Sequence, residues 1–261
     1  LAGYYGPAAP HLRAYIDLLH DELEASGDEL VLYGNPALAS KTWLRDEVRS
    51  EAWEHLAAAT AAVADQATEH ARVRTASLPL MYADLEIAKR RGARPGGIWQ
   101  PDGDQLRPRP ETIALVDDFL DGCAAAGIPK LREYDLTLDQ YRADWDALLD
   151  PALPNHRALG ARVSSSPAPS AKYADGDVTR LVDGLPGARP GSAPVTRAYG
   201  ENWVGWEGTD ASIVLELASA GATSLPPQRL SFSALQEPRS WVWLPRSITV
   251  EARLAAPGNA G

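Results

Sequence analysis

The spacing of apolar residues changes near residue 150, and this change limits the fold more than any other feature of the chain. Before it, apolar residues recur every three or four positions, as on one face of a helix. Leu12, Tyr15, Ile16, Leu19 and Leu23 form such a stripe between Pro10, suited to a first helical turn, and Gly27, suited to a stop. Trp43, Leu44, Val48, Trp53, Leu56 and Val63 predict a second helix starting near Ser40 or Thr42, alanine-rich from Ala57 to Ala64. A third runs from about Glu69 to Gly92. Lys89, Arg90 and Arg91 sit at its negative dipole end, and Pro79 implies a kink or a later start. Glu29–Tyr33 is a short strand-like run, and residues 93–110, rich in Pro and Gly, form a break. Helices resume over Glu111–Gly127 and, with a weaker stripe, Tyr134–Leu149.

Beyond Asp150-Pro-Ala-Leu-Pro-Asn155, which reads as a linker, the dominant period is two. Leu159–Ser165, the run Ser-Ile-Val-Leu-Glu-Leu217, the run Leu-Ser-Phe-Ser-Ala-Leu235 and Ser240–Val250 have the pattern of strands in an antiparallel sandwich. Ser166–Asp177 reads as loop, Leu181–Gly184 as a tight turn and residues 185–200 as a long surface loop. The expected architecture is therefore multidomain, α plus β. An all-α helical bundle over residues 1–150 and a linker over 151–157 precede an antiparallel β-sandwich over 158–261.

Charge divides at the same point. Residues 1–150 hold 15 Lys and Arg against 26 Asp and Glu, and residues 151–261 hold 10 against 9. Neither half has the basic stripe that would neutralise nucleic-acid phosphates or an anionic membrane surface. Apolar runs stay short of the roughly 18 residues of a membrane span. The single cysteine, Cys123, permits no internal disulfide and reads as a small core residue. Leu1 stands where a methionine or signal sequence would be, so the chain reads as a mature or excised segment whose signal peptide lies outside it.

Two blocks resemble known families. Gly3-Tyr-Tyr-Gly-Pro-Ala-Ala-Pro10 and the helices after it look like the helical region behind the barrel of bacterial glycoside-hydrolase-like proteins with the DUF4838 domain. Ala158-Leu-Gly160, Ser166-Pro-Ala-Pro-Ser-Ala-Lys-Tyr173, Leu181-Val-Asp-Gly184, Trp203-Val-Gly-Trp-Glu-Gly-Thr-Asp210 and Ser240-Trp-Val-Trp-Leu-Pro245 resemble the discoidin-like (F5/8 type C, galactose-binding-like) β-sandwich. That module is appended to such proteins and to β-N-acetylhexosaminidases. The resemblance implies a secreted or cell-envelope bacterial protein in which this region supports a catalytic barrel of the same polypeptide, binds glycan, or does both. A purely structural module, and a glycosidase whose catalytic residues are not recognisable, stand as alternatives. The family's sandwich extends well past the Trp-Leu-Pro strand. Here about fifteen residues follow, so one or more strands would be missing and an edge left open.

Glycoside hydrolysis needs two carboxylates flanking the scissile bond. Asp17, Asp21, Glu22, Asp117, Asp118 and Asp121 fall at polar positions of amphipathic helices, where a solvated face is the simplest role, and no catalytic pair is evident. Glu207 and Asp210, three apart after Trp206, have three open roles: capping a strand turn, binding a sugar hydroxyl or ligating calcium. Four of the eight tryptophans lie at 203, 206, 241 and 243. Because an indole carries so much apolar area, core packing is the simplest role for at least two of them. Trp206 with Arg239 and Arg246 remains the candidate sugar-contacting set. By the resemblance, Asp183 would ligate a structural Ca2+, the alternative being a plain Asp-Gly turn.

Overall fold

The computed structural model describes residues 1–30, 34–102, 105–132, 136–149, 153–154, 158–173, 176–184, 203–217, 230–232, 234, 236, 238 and 241–252. The chain forms two compact units, Leu1–Ser219 and Ala220–Gly261.

The first unit is built on helices α1 (Ala2–Tyr5), α2 (Ala9–Ser26), α3 (Asp46–Ala62), α4 (Ala67–Arg91), α5 (Pro110–Ala125) and α6 (Leu138–Leu149). α2 ends where Gly27 takes a left-handed conformation (φ 69°) and its amide donates to the Glu24 carbonyl. α3 opens with Asp46 and Glu47, whose charges suit a helix N-terminus. α4 runs without interruption through Pro79, which removes the amide donor for the Thr75 carbonyl. Leu78, Leu80 and Met81 around that proline are all buried, and this packing outweighs the lost bond.

α4 serves two cores. Leu12 and Tyr15 of α2, Ala52, Leu56 and Ala59 of α3, and Val73 and Leu80 of α4 form the first. The alanines at 52 and 59 let α2 and α3 approach closely. The second joins Leu78, Met81 and Leu85 of α4 to Val116, Phe119 and Leu120 of α5 and to Tyr141 and Trp145 of α6. Full burial of residues as large as Trp99, Phe119 and Trp145 stabilises this core by about 1.5–3 kcal/mol each.

The helical half is not all-α. Strands β1 (Trp99–Asp102) and β2 (Gln105–Pro108) pair antiparallel and are joined by β5 (Leu153–Pro154), while β3 (Lys130–Arg132) pairs with β4 (Leu136–Thr137). Ile98, Trp99 and Leu106 bury fully against the second core. The tight turn into this sheet needs Gly97, because a Cβ there would lie 2.1 Å from the Gly92 carbonyl oxygen.

The expected sandwich is not formed among the described residues either. Among the described residues beyond 158, the one strand ladder joins β6 (Arg162–Ser166) to β7 (Ser212–Glu216). Leu181 and Val182, read as part of a turn, belong to a 3-10 segment, Val178–Val182. That segment packs on the C-terminal end of α4: Ala93 donates to the Asp183 carbonyl (2.9 Å), and the Arg94 guanidinium donates to Thr179 Oγ1 and to the Arg90 and Arg91 carbonyls. In the second unit Leu230, Phe232, Trp241, Trp243, Leu244, Ile248 and Val250 are all exposed, and no strand forms among its described residues. Alternation there marks extended chain, but extended chain becomes a sheet only when a neighbour pairs with it. Of the strand-like run Glu29–Tyr33, Glu29 and Leu30 belong to no strand and residues 31–33 lie outside the described residues, as does the loop 185–200. No described helix is long and apolar enough to cross a membrane.

Candidate functional site

The antiparallel register of β6 and β7 sets Ser166 opposite Ser212, so the segment leaving β6 and the segment entering β7 emerge at one end of the ladder. Five contacts then fix residues 167–173 against residues 203–207. The Trp206 indole Nε1 donates to the Pro167 carbonyl (3.1 Å), and the Ser170 amide donates to the Gly205 carbonyl (2.8 Å). Ser170 Oγ donates to Glu207 Oε2 (3.0 Å) and Lys172 Nζ to Glu207 Oε1 (2.7 Å). Gly205 lies against the Tyr173 ring so closely that a Cβ would come within 2.6 Å of Cδ2. The Ser166–Pro167 peptide is cis.

The result is a half-buried indole with a fixed ring plane beside a polar rim. Lys172, Glu207, Gly208, Thr209 and Asp210 are exposed there, and Trp203 and Tyr173 are half-buried. Hydrogen bonds from Lys172 and then Ser170 hold the Glu207 carboxyl below its ordinary pKa, and Glu207 raises that of Lys172. Both are therefore charged at neutral pH. An aromatic face with adjoining donors and acceptors can stack on one face of a pyranose while hydrogen-bonding its hydroxyls.

Of the residues singled out in the sequence, Trp206 and Glu207 come together with Ser170 and Lys172, which sequence reasoning did not select. Asp210 lies exposed three residues further along the same loop. Arg246 is exposed in the second unit, and Arg239 lies outside the described residues. Trp241 and Trp243 do not pack a core: they are 84% and 62% exposed. Asp183 is 3% exposed, and its carboxylate receives the Arg180 guanidinium at 2.9 Å, where a calcium ion would have to displace a buried cation. Of the helical acids, Asp17, Glu22, Asp117 and Asp118 pair with Arg13, Arg45, Arg142 and Arg74. His20, Asp21 and Glu24 form a small exposed group on α2 with metal-ligand spacing.

A second polar cluster lies between α4 and α6. Glu86, 8% exposed, accepts from the Tyr141 hydroxyl and Lys89 Nζ at Oε1, both at 2.9 Å, and from Asn35 Nδ2 at Oε2 (3.2 Å). The Lys89 ammonium also lies over the Tyr141 and Trp145 rings, 4.3 and 4.5 Å from their centroids. Burial, and then the Glu86 charge, push the Tyr141 phenol well above its ordinary pKa; burial likewise raises the nearby Asp144 carboxyl. Next to it, Asp84 accepts from Arg49 Nε and Trp53 Nε1, both at 2.6 Å. The sequence signal was present: Leu78, Tyr82, Glu86 and Lys89 follow helical steps of four, four and three, placing two charges on an apolar stripe. The cluster's donors converge on the Glu86 and Asp84 carboxylates and tie helices together.

Two shallow surface hollows, one along Ala67, Ala71 and Thr75 and one at Leu1, Gly6 and Pro10, include no residue of either polar site. Compared with protein-family models, characterised proteins and solved structures, the chain matches none.

Proposed function

We propose that the chain is a non-catalytic accessory region of a secreted glycoside-hydrolase-like protein of the DUF4838-containing kind. In this reading it supports a catalytic barrel carried by the same polypeptide and binds carbohydrate at the paired loops 167–173 and 203–210. The observation that carries the reading is the Trp206 ring, held in one plane by its own N–H bond to Pro167 beside the Ser170–Glu207–Lys172 rim. A ring fixed before binding loses little freedom when a ligand arrives, which is what a shallow, exposed site needs to gain useful affinity.

Calorimetry of the intact chain against a panel of neutral and acidic oligosaccharides tests it. Binding that falls at least about tenfold in Trp206→Ala, a loss of roughly 1.4 kcal/mol, is expected, with circular dichroism confirming an intact fold. If a folded chain binds no sugar in the panel, the carbohydrate reading is wrong. If the chain alone turns over an aryl glycoside, and one carboxylate substitution abolishes that turnover, the non-catalytic reading is wrong.

A further inference from the structure

The charges around Trp206 restrict which sugars suit it. Glu207 uses both carboxylate oxygens on groups from the facing loop, one on Ser170 and one on Lys172. Lys172 is the cation of this loop pair, and its charge is already met by Glu207 at 2.7 Å. Asp210 adds a further exposed carboxylate three residues on, so Lys172, Glu207 and Asp210 together carry one net negative charge. The chain as a whole carries −10. Among the described residues of the two loops, a uronic or sialic acid would find no cation other than Lys172, already paired with Glu207, and Asp210 adds negative charge. A neutral sugar needs none, because hydroxyls can accept from the remaining Lys172 protons and donate to carboxylate lone pairs while the ring lies on the indole.

We infer, resting on the carbohydrate reading above, that this loop pair selects neutral sugars and rejects acidic ones, with the Lys172–Glu207 pair as the selecting element. Glu207 acts by cancelling the charge that would otherwise recruit a carboxylate. It also holds Ser170 and Lys172 in place from across the gap between the loops.

The test is calorimetry of the full chain at low salt with two sets of probes of equal length: N-acetylglucosamine and galactose oligomers, and oligogalacturonates. The neutral set is expected to bind and the uronates to bind at least about tenfold more weakly. Glu207→Gln keeps the side-chain shape and removes the charge, so Lys172 becomes available. The preference should then move toward uronates by about fivefold, the scale of one exposed ion pair, and raised salt should erase the movement. Lys172→Met should deepen the rejection of uronates. Uronates binding wild type as tightly as neutral oligomers would overturn the charge selection while leaving the sugar site standing. So would a Glu207→Gln chain with unchanged preference. Failure of every probe to bind a folded wild-type chain would overturn the inference together with the reading beneath it.

Discussion

Replacing Tyr141 with Phe removes one hydroxyl from a site that water scarcely reaches, since Tyr141 is 2% exposed and its acceptor Glu86 is 8% exposed. A hydrogen bond to a charged group contributes about 1.5–3 kcal/mol. Glu86 keeps Lys89 and Asn35 as donors, so the cost of Tyr141→Phe should fall near the lower figure, about 1.5 kcal/mol. Glu86→Gln removes more: the Lys89 ammonium loses its closest carboxylate and the Tyr141 hydroxyl meets an amide. Breaking a buried pair costs about 3–5 kcal/mol, and because Lys89 is 24% exposed, about 3 kcal/mol is the better expectation. The double variant should cost less than the two losses combined by about 1 kcal/mol, since one bond is counted in both single variants. The assay is urea denaturation with hydrogen exchange of the α6 amides as a local readout, because two compact units need not unfold together. Additivity to within about 0.3–0.5 kcal/mol would show that this bond does not hold α6 to α4.

Four further outcomes follow from the structure. The folded Tyr141 phenol titrates above the unfolded value of about 10, so its stabilising contribution is complete below that pH and is lost as pH rises beyond it. Denaturation at graded alkaline pH should therefore show a fall in stability that is shallower in Tyr141→Phe. Arg180→Met leaves the buried Asp183 carboxylate without its guanidinium and should cost about 3 kcal/mol, a drop in Tm of about 6–12 °C by calorimetry. Added calcium should leave the wild-type Tm unchanged. Gly205→Ala sets a methyl group 2.6 Å from the Tyr173 ring and should weaken sugar binding by displacing Trp206, while Gly205→Ala with Tyr173→Ala should recover it, both read by calorimetry.

The helices were legible because burial along a helix repeats every three to four residues and leaves that repeat in the sequence. The stripe of Leu12, Tyr15 and Leu19 and the stop at Gly27 correspond to α2 almost residue for residue. The β1–β2 hairpin was hidden because each strand is only four residues long and the segment holds Pro101 and Pro108, so composition spoke of a break. Pro79 suggested an interruption that packing on both sides of α4 overrides. The sandwich failed for a different reason. An alternating run such as Ser240–Val250 states which faces a strand would have, yet it contains no information about what pairs with its edges. Trp241 takes φ 59°, in the left-handed region that an aromatic side chain disfavours, which turns the chain out of the extended path the alternation implied.

The same distinction separates Trp206 from the other three tryptophans of its stretch. Sequence alone offers all four for core or platform and favours Trp206 as the sugar-contacting ring, without showing what would hold it. What sets Trp206 apart is supplied from the facing loop, by its own bond to Pro167, 39 residues away, and by the Ser170–Glu207 bond beside it, which the β6–β7 register brings to the same end of the ladder. Trp203 shares the loop, but its buried indole nitrogen makes no hydrogen bond among the described residues, so nothing comparable there fixes its plane. Trp241 and Trp243 have greater exposure, and exposure without a fixed orientation would charge the cost of ordering each ring to every binding event. Glu86 shows the converse. Its helical step from Leu78 and Tyr82 places it on an apolar stripe, but only the arrival of Tyr141 from α6 beside Lys89 makes it the centre of a buried network. In both places the chemistry of the side chain could be read early, while its role depended on which distant backbone the fold set beside it.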